Sequence, residues 1–159
     1  MNSLDVFWKS DMSRKLKVKI FRTAVESILL YGCETWTLKV AQNNTLDGTY
    51  TKLLRRALNI SWKSHTPNDI LYQDITKISH TIRRRRLTFG GHLFRHDNQP
   101  AHHLLFWKPD YGARYHGRPK LTYDDILKCD TGLPTAEMKR KMMDRMKWRT
   151  VADHSLKPD

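Results

Sequence analysis

Apolar residues recur at helical spacing in the first part of the chain, between about Ser10 and Tyr31. Gly32 follows at once, and glycine commonly ends helices because it adopts the left-handed conformation without strain. The pattern therefore predicts a long first helix that ends at Gly32. Its apolar residues form two adjacent rows, which together make a stripe about 100° wide: Leu16, Ile20, Phe21, Ala24, Val25, Ile28 and Leu29.

A second helical pattern begins after the polar residues Asn43 and Asn44. Asn44 or Thr45 is suited to cap it, because a short polar side chain accepts hydrogen bonds from the free amides of a first turn. One face of this helix carries Leu46, Tyr50, Leu53, Leu54, Ala57 and Leu58. We expect the two helices to pack together and to bury a shared set of residues: Leu16, Ile20, Phe21, Ile28, Leu53, Leu54 and Leu58.

Further helical segments follow along the chain. Thr66 and Pro67 predict the start of a short helix, since proline suits the first helical position. Helical spacing then continues through a third long segment from Ile75 to Leu93, in which Gly90 and Gly91 indicate a kink or the close approach of another helix. The last part predicts a short helix over residues 121–130 and a final helix capped by Thr135.

The predicted fold class is mainly α, because no alternation of apolar and polar residues persists anywhere in the chain. We expect an irregular helical bundle with little or no sheet. Residues 97–120 contain three prolines and two glycines and predict a loop, with a helical turn or two near Ala101–Phe106. The organisation predicted is a helical region at 1–64, a basic helix region at 65–97, a basic loop region at 98–120 and a C-terminal helical region at 121–159.

The charge of the chain is high and unevenly spread. Lysine and arginine number 29 against 16 acidic residues, a net charge of +13. Residues 83–120 hold nine basic and two acidic residues, so their local net charge is +7. Such an excess favours polyanionic partners, with nucleic acid first and an acidic membrane surface second.

The composition also limits the setting of the protein. No stretch is long and apolar enough to span a membrane, and the N-terminus lacks the apolar region of a secretory signal. The two cysteines, Cys33 and Cys129, do not make a disulfide framework and fit a reducing compartment. We expect an intracellular protein, nuclear or cytoplasmic, with no membrane partner and no small-molecule substrate.

Two basic segments are candidates for nucleic-acid contact. Arg83, Arg84, Arg85 and Arg86 are consecutive, so on a helix they point to all sides and at least one must lie near the apolar stripe. Arginine binds phosphate in a bidentate manner and stacks on bases, and nucleic-acid contact is favoured over a solvated charge run. The second segment is a Gly- and Pro-containing loop whose cations suit phosphate contact: Arg114, Arg118 and Lys120.

The candidates for metal or catalytic chemistry are weak. His92 and His96 stand four residues apart, but the chain has no CxxC motif and no HExxH motif, so we predict no metal. Asp124 and Asp125 resemble the paired carboxylates of polymerases, yet they stand where a helix is predicted to begin. No phosphate-binding glycine loop or nucleophile motif is present, so we predict no cofactor and no catalysis by this chain.

Five short segments in order are similar to the region after the polymerase core in reverse transcriptases of non-LTR (LINE-like) retrotransposons. They are ILLYGCETWTL from Ile28, LRRALNISW from Leu54, IRRRRLTFGGHLFR from Ile82, GRPKLTY from Gly117 and DRMKWR from Asp144. The third resembles the family block RRLRWLGHxxR, although Phe89 and Gly90 stand where that block has Trp and Leu. The fourth resembles GRPKxTW, with Tyr123 in place of Trp.

This resemblance implies the thumb and post-thumb C-terminal part of a reverse transcriptase, without the palm and without the endonuclease. In that family the thumb is a helical bundle that grips the template–product duplex, and the region after it helps to bind element RNA. The resemblance adds Arg55, Arg56, His92 and Arg95 to the candidate contacts. Two alternatives remain: a degenerate retroelement remnant without a function of its own, and a stand-alone basic helical domain that binds DNA or RNA.

Overall fold

The computed structural model describes residues 4–107 and 122–154, which are mostly helical and contain no β-strand. The predicted fold class, mainly α, is confirmed. None of the described helices has both the length and the apolarity needed to cross a membrane. The α-helices are α1 Asp5–Lys9, α2 Arg14–Phe21, α3 Ser27–Leu29, α4 Val40–Ala57, α5 Asn68–Leu71, α6 Ile78–Arg95, α7 Pro100–Leu105, α8 Tyr123–Thr131, α9 Thr135–Met143 and α10 Arg145–His154.

The helices form two compact units. The N-terminal unit contains residues 4–32 and Leu38–Thr81, and the C-terminal unit contains Cys33–Thr37 together with residues 82–107 and 122–154. Helix α6 contributes its first turn to the N-terminal unit and its remaining turns to the C-terminal unit.

In the N-terminal unit, α2 packs on α4 through an aromatic pair. The rings of Phe21 and Tyr50 meet edge to face with centroids 5.4 Å apart, a geometry that the charge distribution of aromatic rings favours. Tyr50 also donates a hydrogen bond to Glu26 from inside the unit. Leu30 and Leu54 are fully buried, so they complete this part of the core.

The predicted set of shared core residues is only partly correct. Phe21 and Leu54 are buried, while Ile20, Leu53 and Leu58 are half-buried. The prediction of burial is wrong for Leu16 and Ile28, since 44% and 77% of their surfaces are exposed. Leu16 lies beside the buried face of α2 rather than on it, because Lys17, Val18 and Phe21 form that face.

Ile28 points outward because the first long helix contains a π-helical turn at Arg22–Glu26, between α2 and α3. A π turn closes hydrogen bonds over five residues instead of four, so it rotates the residues that follow it around the helix axis. The four-residue apolar repeat therefore loses its phase at this point. Leu30 is buried beyond the turn, whereas Ile28 is exposed.

Helix α4 begins earlier than the sequence pattern predicted. It starts at Val40 rather than after Asn44, so Asn43 and Asn44 lie inside the helix and the predicted cap is wrong. The side chain of Gln42 accepts a hydrogen bond from the amide of Lys39 at 2.8 Å. This bond satisfies a donor at the helix start, where no partner exists within the helix.

In the C-terminal unit, the indole of Trp148 holds α10 against α6. Its Nε1 donates to the carbonyl oxygen of Leu87 at 2.7 Å, and the ring lies over Gly91, where a Cβ atom would stand 2.2 Å from Trp148 Cδ1. The close helix approach expected at the paired glycines therefore occurs at Gly91. The buried cluster around this contact comprises Leu87, Leu93, Leu105, Leu127, Met138, Met142, Trp148 and Ala152.

The final predicted helix is two helices, because α9 ends at Met143 and α10 begins at Arg145. Asp144 lies between them in an extended conformation. Its Oδ1 accepts hydrogen bonds from the amides of Met146 at 2.9 Å and Lys147 at 3.1 Å, so it caps α10. These two amide donors lower the pKa of the Asp144 carboxyl below its usual value.

Candidate nucleic-acid interface

The four consecutive arginines of α6 differ sharply in accessibility. The side chains of Arg83, Arg84 and Arg85 are 38%, 57% and 43% exposed. Each of them reaches an acidic residue of the C-terminal unit: Arg83 pairs with Asp130 at 3.3 Å, Arg84 with Asp153 at 3.6 Å and Arg85 with Glu34 at 3.7 Å. Asp130 is itself only 8% exposed, whereas Asp153 and Glu34 are partly exposed, at 49% and 31%. Partly exposed pairs such as those of Arg84 and Arg85 contribute little to stability. All three arginine side chains keep a solvent-exposed part that another anion can reach.

Arg86 is the member of the run that faces the interior. Its side chain is 4% exposed, and its Nε donates to Asp130 at 2.7 Å. Its Nη1 donates to the carbonyl oxygen of Trp36, also at 2.7 Å. A buried guanidinium must have such partners because an unpaired charge in the interior is strongly unfavourable. We therefore assign Arg86 a structural role and leave it out of the candidate surface.

Arg95 lies on α6 among the residues of a cavity of about 270 Å³, which Arg84 also lines. Its Nη1 donates to the carbonyl oxygen of Met142 at 2.8 Å, which holds the guanidinium at the edge of the cavity. Helix α10 adds two further arginines to this cavity, Arg145 and Arg149. Both were missed as candidates from the sequence, although their four-residue spacing places them on one helix face.

His92 is exposed on α6 and lies beside His96, with ring centroids 4.3 Å apart. The pair is the one that the sequence pattern singled out. Among the described residues no group of three or more histidine, cysteine and acidic side chains is placed to hold a metal ion. His92 therefore stays a candidate only for contact with an anion.

Arg55 and Arg56 belong to the N-terminal unit and are engaged within it. Arg55 donates to the carbonyl oxygen of Thr66 at 2.7 Å and to Asn68 at 2.9 Å. Arg56 forms a bidentate pair with Asp5, with donor–acceptor distances of 3.1 and 2.6 Å. This pair lowers the pKa of Asp5 and raises that of Arg56, because the hydrogen bonds between the two side chains favour their charged forms and the opposite charges add to this effect.

The remaining predicted contacts, Arg114, Arg118 and Lys120, lie outside the described residues.

Asp124 and Asp125, the two acidic residues that resemble polymerase ligands, lie in the first turn of α8. Asp125 accepts hydrogen bonds from Thr122, which begins the helix as its cap. Asp124 is buried, pairs with Lys128 at 2.9 Å and accepts a hydrogen bond from Thr135 at 3.1 Å.

A second cavity of the C-terminal unit, of about 680 Å³, is lined by Arg83, Lys141 and Lys147. Each of these cations pairs with a carboxylate: Arg83 with Asp130, Lys141 with Glu137 at 2.9 Å and Lys147 with Asp144 at 3.4 Å. This larger cavity therefore has less uncompensated charge to offer an anion than the arginine-lined one.

The chain is similar to an uncharacterized transposon-derived protein of Caenorhabditis elegans, with 28% identity over 122 residues. The match covers 72% of this chain and 44% of that protein, so the chain spans less than half of the relative's length. No family model matches the chain, and no solved structure matches it significantly. The similarity supports a transposon-related origin.

Proposed function

We propose that this chain is a non-catalytic, nucleic-acid-binding region from the C-terminal part of a non-LTR retrotransposon RNA-directed DNA polymerase. In this role it grips template RNA or an RNA–DNA duplex. The observation that carries the proposal is the exposure of three consecutive arginines, Arg83, Arg84 and Arg85, in a chain with a net charge of +13. The transposon-derived relative and the five ordered motifs support the same origin.

Phosphate contact suits these side chains for a physical reason. A guanidinium presents donors in a planar fork that matches two phosphate oxygens, and it stays charged at every physiological pH. Neutralising phosphates with such groups releases condensed counterions, so affinity depends steeply on salt. These contacts position a protein on the backbone and carry no base preference of their own.

The absence of catalysis is part of the proposal. Asp124 and Asp125 make their hydrogen bonds within the C-terminal unit, to Thr135, Lys128 and Thr122. Two-metal polymerisation needs carboxylates that are free to hold Mg²⁺ beside a substrate. We expect no primer extension by the purified chain with Mg²⁺; extension above a buffer control that disappears in Asp124→Asn Asp125→Asn would contradict this.

The binding test compares the wild-type chain with Arg83→Gln Arg84→Gln Arg85→Gln. Fluorescence anisotropy with a structured RNA and with an RNA–DNA hybrid duplex gives Kd over a series of salt concentrations. The logarithm of the association constant, plotted against the logarithm of the salt concentration, should fall with a slope of about −0.9 for each phosphate contacted on a duplex. The triple variant should make this slope shallower by up to about three units. Arg86 is left unchanged because its replacement would leave Asp130 buried without its closest partner.

A matched control removes the same charge from the N-terminal unit. Lys15, Lys19 and Lys52 are exposed and form no salt bridge with a described residue, so Lys15→Gln Lys19→Gln Lys52→Gln should fold normally. Equal losses of affinity in the two triple variants would show that binding depends on net charge and not on the position of Arg83, Arg84 and Arg85. No measurable binding of the wild-type chain to either nucleic acid would refute the proposed function.

A further inference from the structure

One cavity of the C-terminal unit gathers four arginine side chains from two helices. Helix α6 supplies Arg84 and Arg95, and α10 supplies Arg145 and Arg149. Among the residues that line the cavity, Asp153 alone carries a carboxylate. Four guanidinium groups against one carboxylate leave three positive charges uncompensated, so the cavity attracts an anion.

We propose that this cavity is a binding site for a backbone phosphodiester group of the nucleic acid that the chain grips. The inference rests on the proposed function, and it goes further because it assigns the site and two residues, Arg145 and Arg149, that the motifs had not marked as contacts. The exposed hydroxyl-bearing residue Thr88 also lines the cavity and supplies a neutral donor for a phosphate oxygen.

The arginines retain donors for such a ligand. Arg145 is exposed and forms no salt bridge with any residue in the described part of the chain. Asp153 is shared, at 3.6 Å from Arg84 and 4.0 Å from Arg149, distances at which neither pair is a strong hydrogen bond. Arg95 uses one of its nitrogen atoms on the Met142 carbonyl, and a guanidinium has five N–H donors in all.

The size of the cavity selects a small group. Its volume of about 270 Å³ lies below the range of roughly 300–1,000 Å³ that is usual for sites that enclose a drug-sized ligand. A single phosphate with its flanking sugar atoms suits this space and leaves the rest of a nucleic acid outside. The larger cavity near Arg83 is a weaker candidate, since its cations pair with Asp130, Glu137 and Asp144.

The packing of Trp148 fixes the spacing of the two helices that carry the arginines. Trp148 is 2% exposed and lines the cavity, and its indole N–H donates to the carbonyl oxygen of Leu87 on α6 at 2.7 Å. Arg145 and Arg149 flank Trp148 on the same helix, so the contact at Gly91 sets their distance from Arg84 and Arg95. Because the two helices are already packed together, the backbones that carry these donors need not rearrange when an anion binds.

The test compares two exposed arginines of the C-terminal unit. Arg145 lines the cavity, whereas Arg140 on α9 does not, and neither forms a salt bridge with a described residue. Binding of the full chain to a short RNA–DNA hybrid is measured by anisotropy for wild type, Arg145→Gln and Arg140→Gln. Arg145→Gln should flatten the salt slope by about 0.9, the contribution of one phosphate contact. The ratio of variant Kd to wild-type Kd should therefore fall by about 3.5-fold between about 50 and 200 mM salt.

Arg140→Gln should leave the slope close to the wild-type value. The double variant Arg145→Gln Arg149→Gln should flatten it by about two units. Equal slopes for Arg145→Gln and Arg140→Gln, with tight wild-type binding, would overturn the cavity assignment while the proposed function stands. A wild-type chain that does not bind the hybrid would instead overturn the proposed function itself.

A second measurement separates backbone phosphate from free phosphate. The indole N–H resonance of Trp148 is followed in a ¹⁵N-labelled chain while inorganic phosphate or the hybrid is added at constant ionic strength. We expect the hybrid to shift this resonance in wild type and much less in Arg145→Gln. A shift with inorganic phosphate and none with the hybrid would overturn the assignment to a nucleic-acid backbone.

Discussion

Gly91 is a position at which an added methyl group would collide with a packed side chain of the C-terminal unit. A Cβ there would stand 2.2 and 2.3 Å from Trp148 Cδ1 and Nε1, and the ring cannot withdraw without breaking its bond to Leu87. We expect Gly91→Ala to lower the free energy of unfolding by about 1–3 kcal/mol, the usual cost of an overfilled core. Urea denaturation of the purified chain measures it.

Gly90 supplies the control on the same turn of α6. A Cβ at Gly90 would lie 3.6 Å from Leu127, an ordinary contact. Alanine is the better helix former by about 1 kcal/mol, so Gly90→Ala should be neutral or stabilising. If Gly90→Ala and Gly91→Ala lower the free energy of unfolding equally, the close contact of Gly91 with Trp148 is not the cause of the destabilisation.

At the scale of the element, the start of α10 depends on the ionised carboxylate of Asp144. Its pKa is lowered in the folded protein, so this stabilisation is present above the ordinary aspartate pKa of about 3.9 and is lost as pH falls through the lowered value. Asp144→Ala should reduce the melting temperature by a few degrees at neutral pH. Its difference from wild type should shrink below about pH 4.

Asp144→Asn tests the mechanism, since asparagine also accepts the two amide hydrogen bonds but does not titrate. The melting temperature of this variant should be close to that of wild type at neutral pH. Its capping hydrogen bonds should persist in acid, because asparagine has no carboxylate to protonate. If Asp144→Ala and wild type differ by the same amount at pH 3 and pH 7, the ionised cap is not the cause.

At the scale of the whole molecule, the two cysteines report whether the C-terminal unit, to which both belong, folds in the isolated chain. Cys33 is fully buried in the C-terminal unit, where burial raises the pKa of its thiol, while Cys129 is exposed. A thiol-reactive dye should label Cys129 rapidly and Cys33 only after the unit opens, because the thiolate is the reactive form. The amplitudes of the fast and slow phases in stopped-flow absorbance give the number of thiols that react at each rate.

The variant Cys129→Ser assigns the fast phase of labelling to Cys129, because the folded variant should show no rapidly reacting thiol. Rapid reaction of both cysteines, at the rate seen in denaturant, would favour the alternative of a remnant that does not fold independently. A cooperative thermal melt by circular dichroism should accompany the slow thiol in the folded protein.

Much of the local structure follows from the sequence pattern because its causes act over a few residues. Helical spacing predicted α4 and α6, although the actual start of α4 depended on Gln42. Thr135 was expected to cap one final helix, but it is the first residue of α9, and Pro134 stands at the cap position. Asp144 then divides the segment into α9 and α10. The Asp124–Asp125 pair was correctly expected at the start of a helix.

The sequence by itself determined that the chain is mainly helical, basic and has an arginine run on all sides of one helix, since these properties depend on composition and on short-range periodicity. Only the tertiary structure decided which arginine is buried. Arg86 pairs with Asp130, 44 positions away, and Arg84 and Arg95 meet Arg145 and Arg149 across helices. Helical spacing specifies the faces of one element, while the partner of each face is selected by packing between distant segments, as the indole of Trp148 on Gly91 shows.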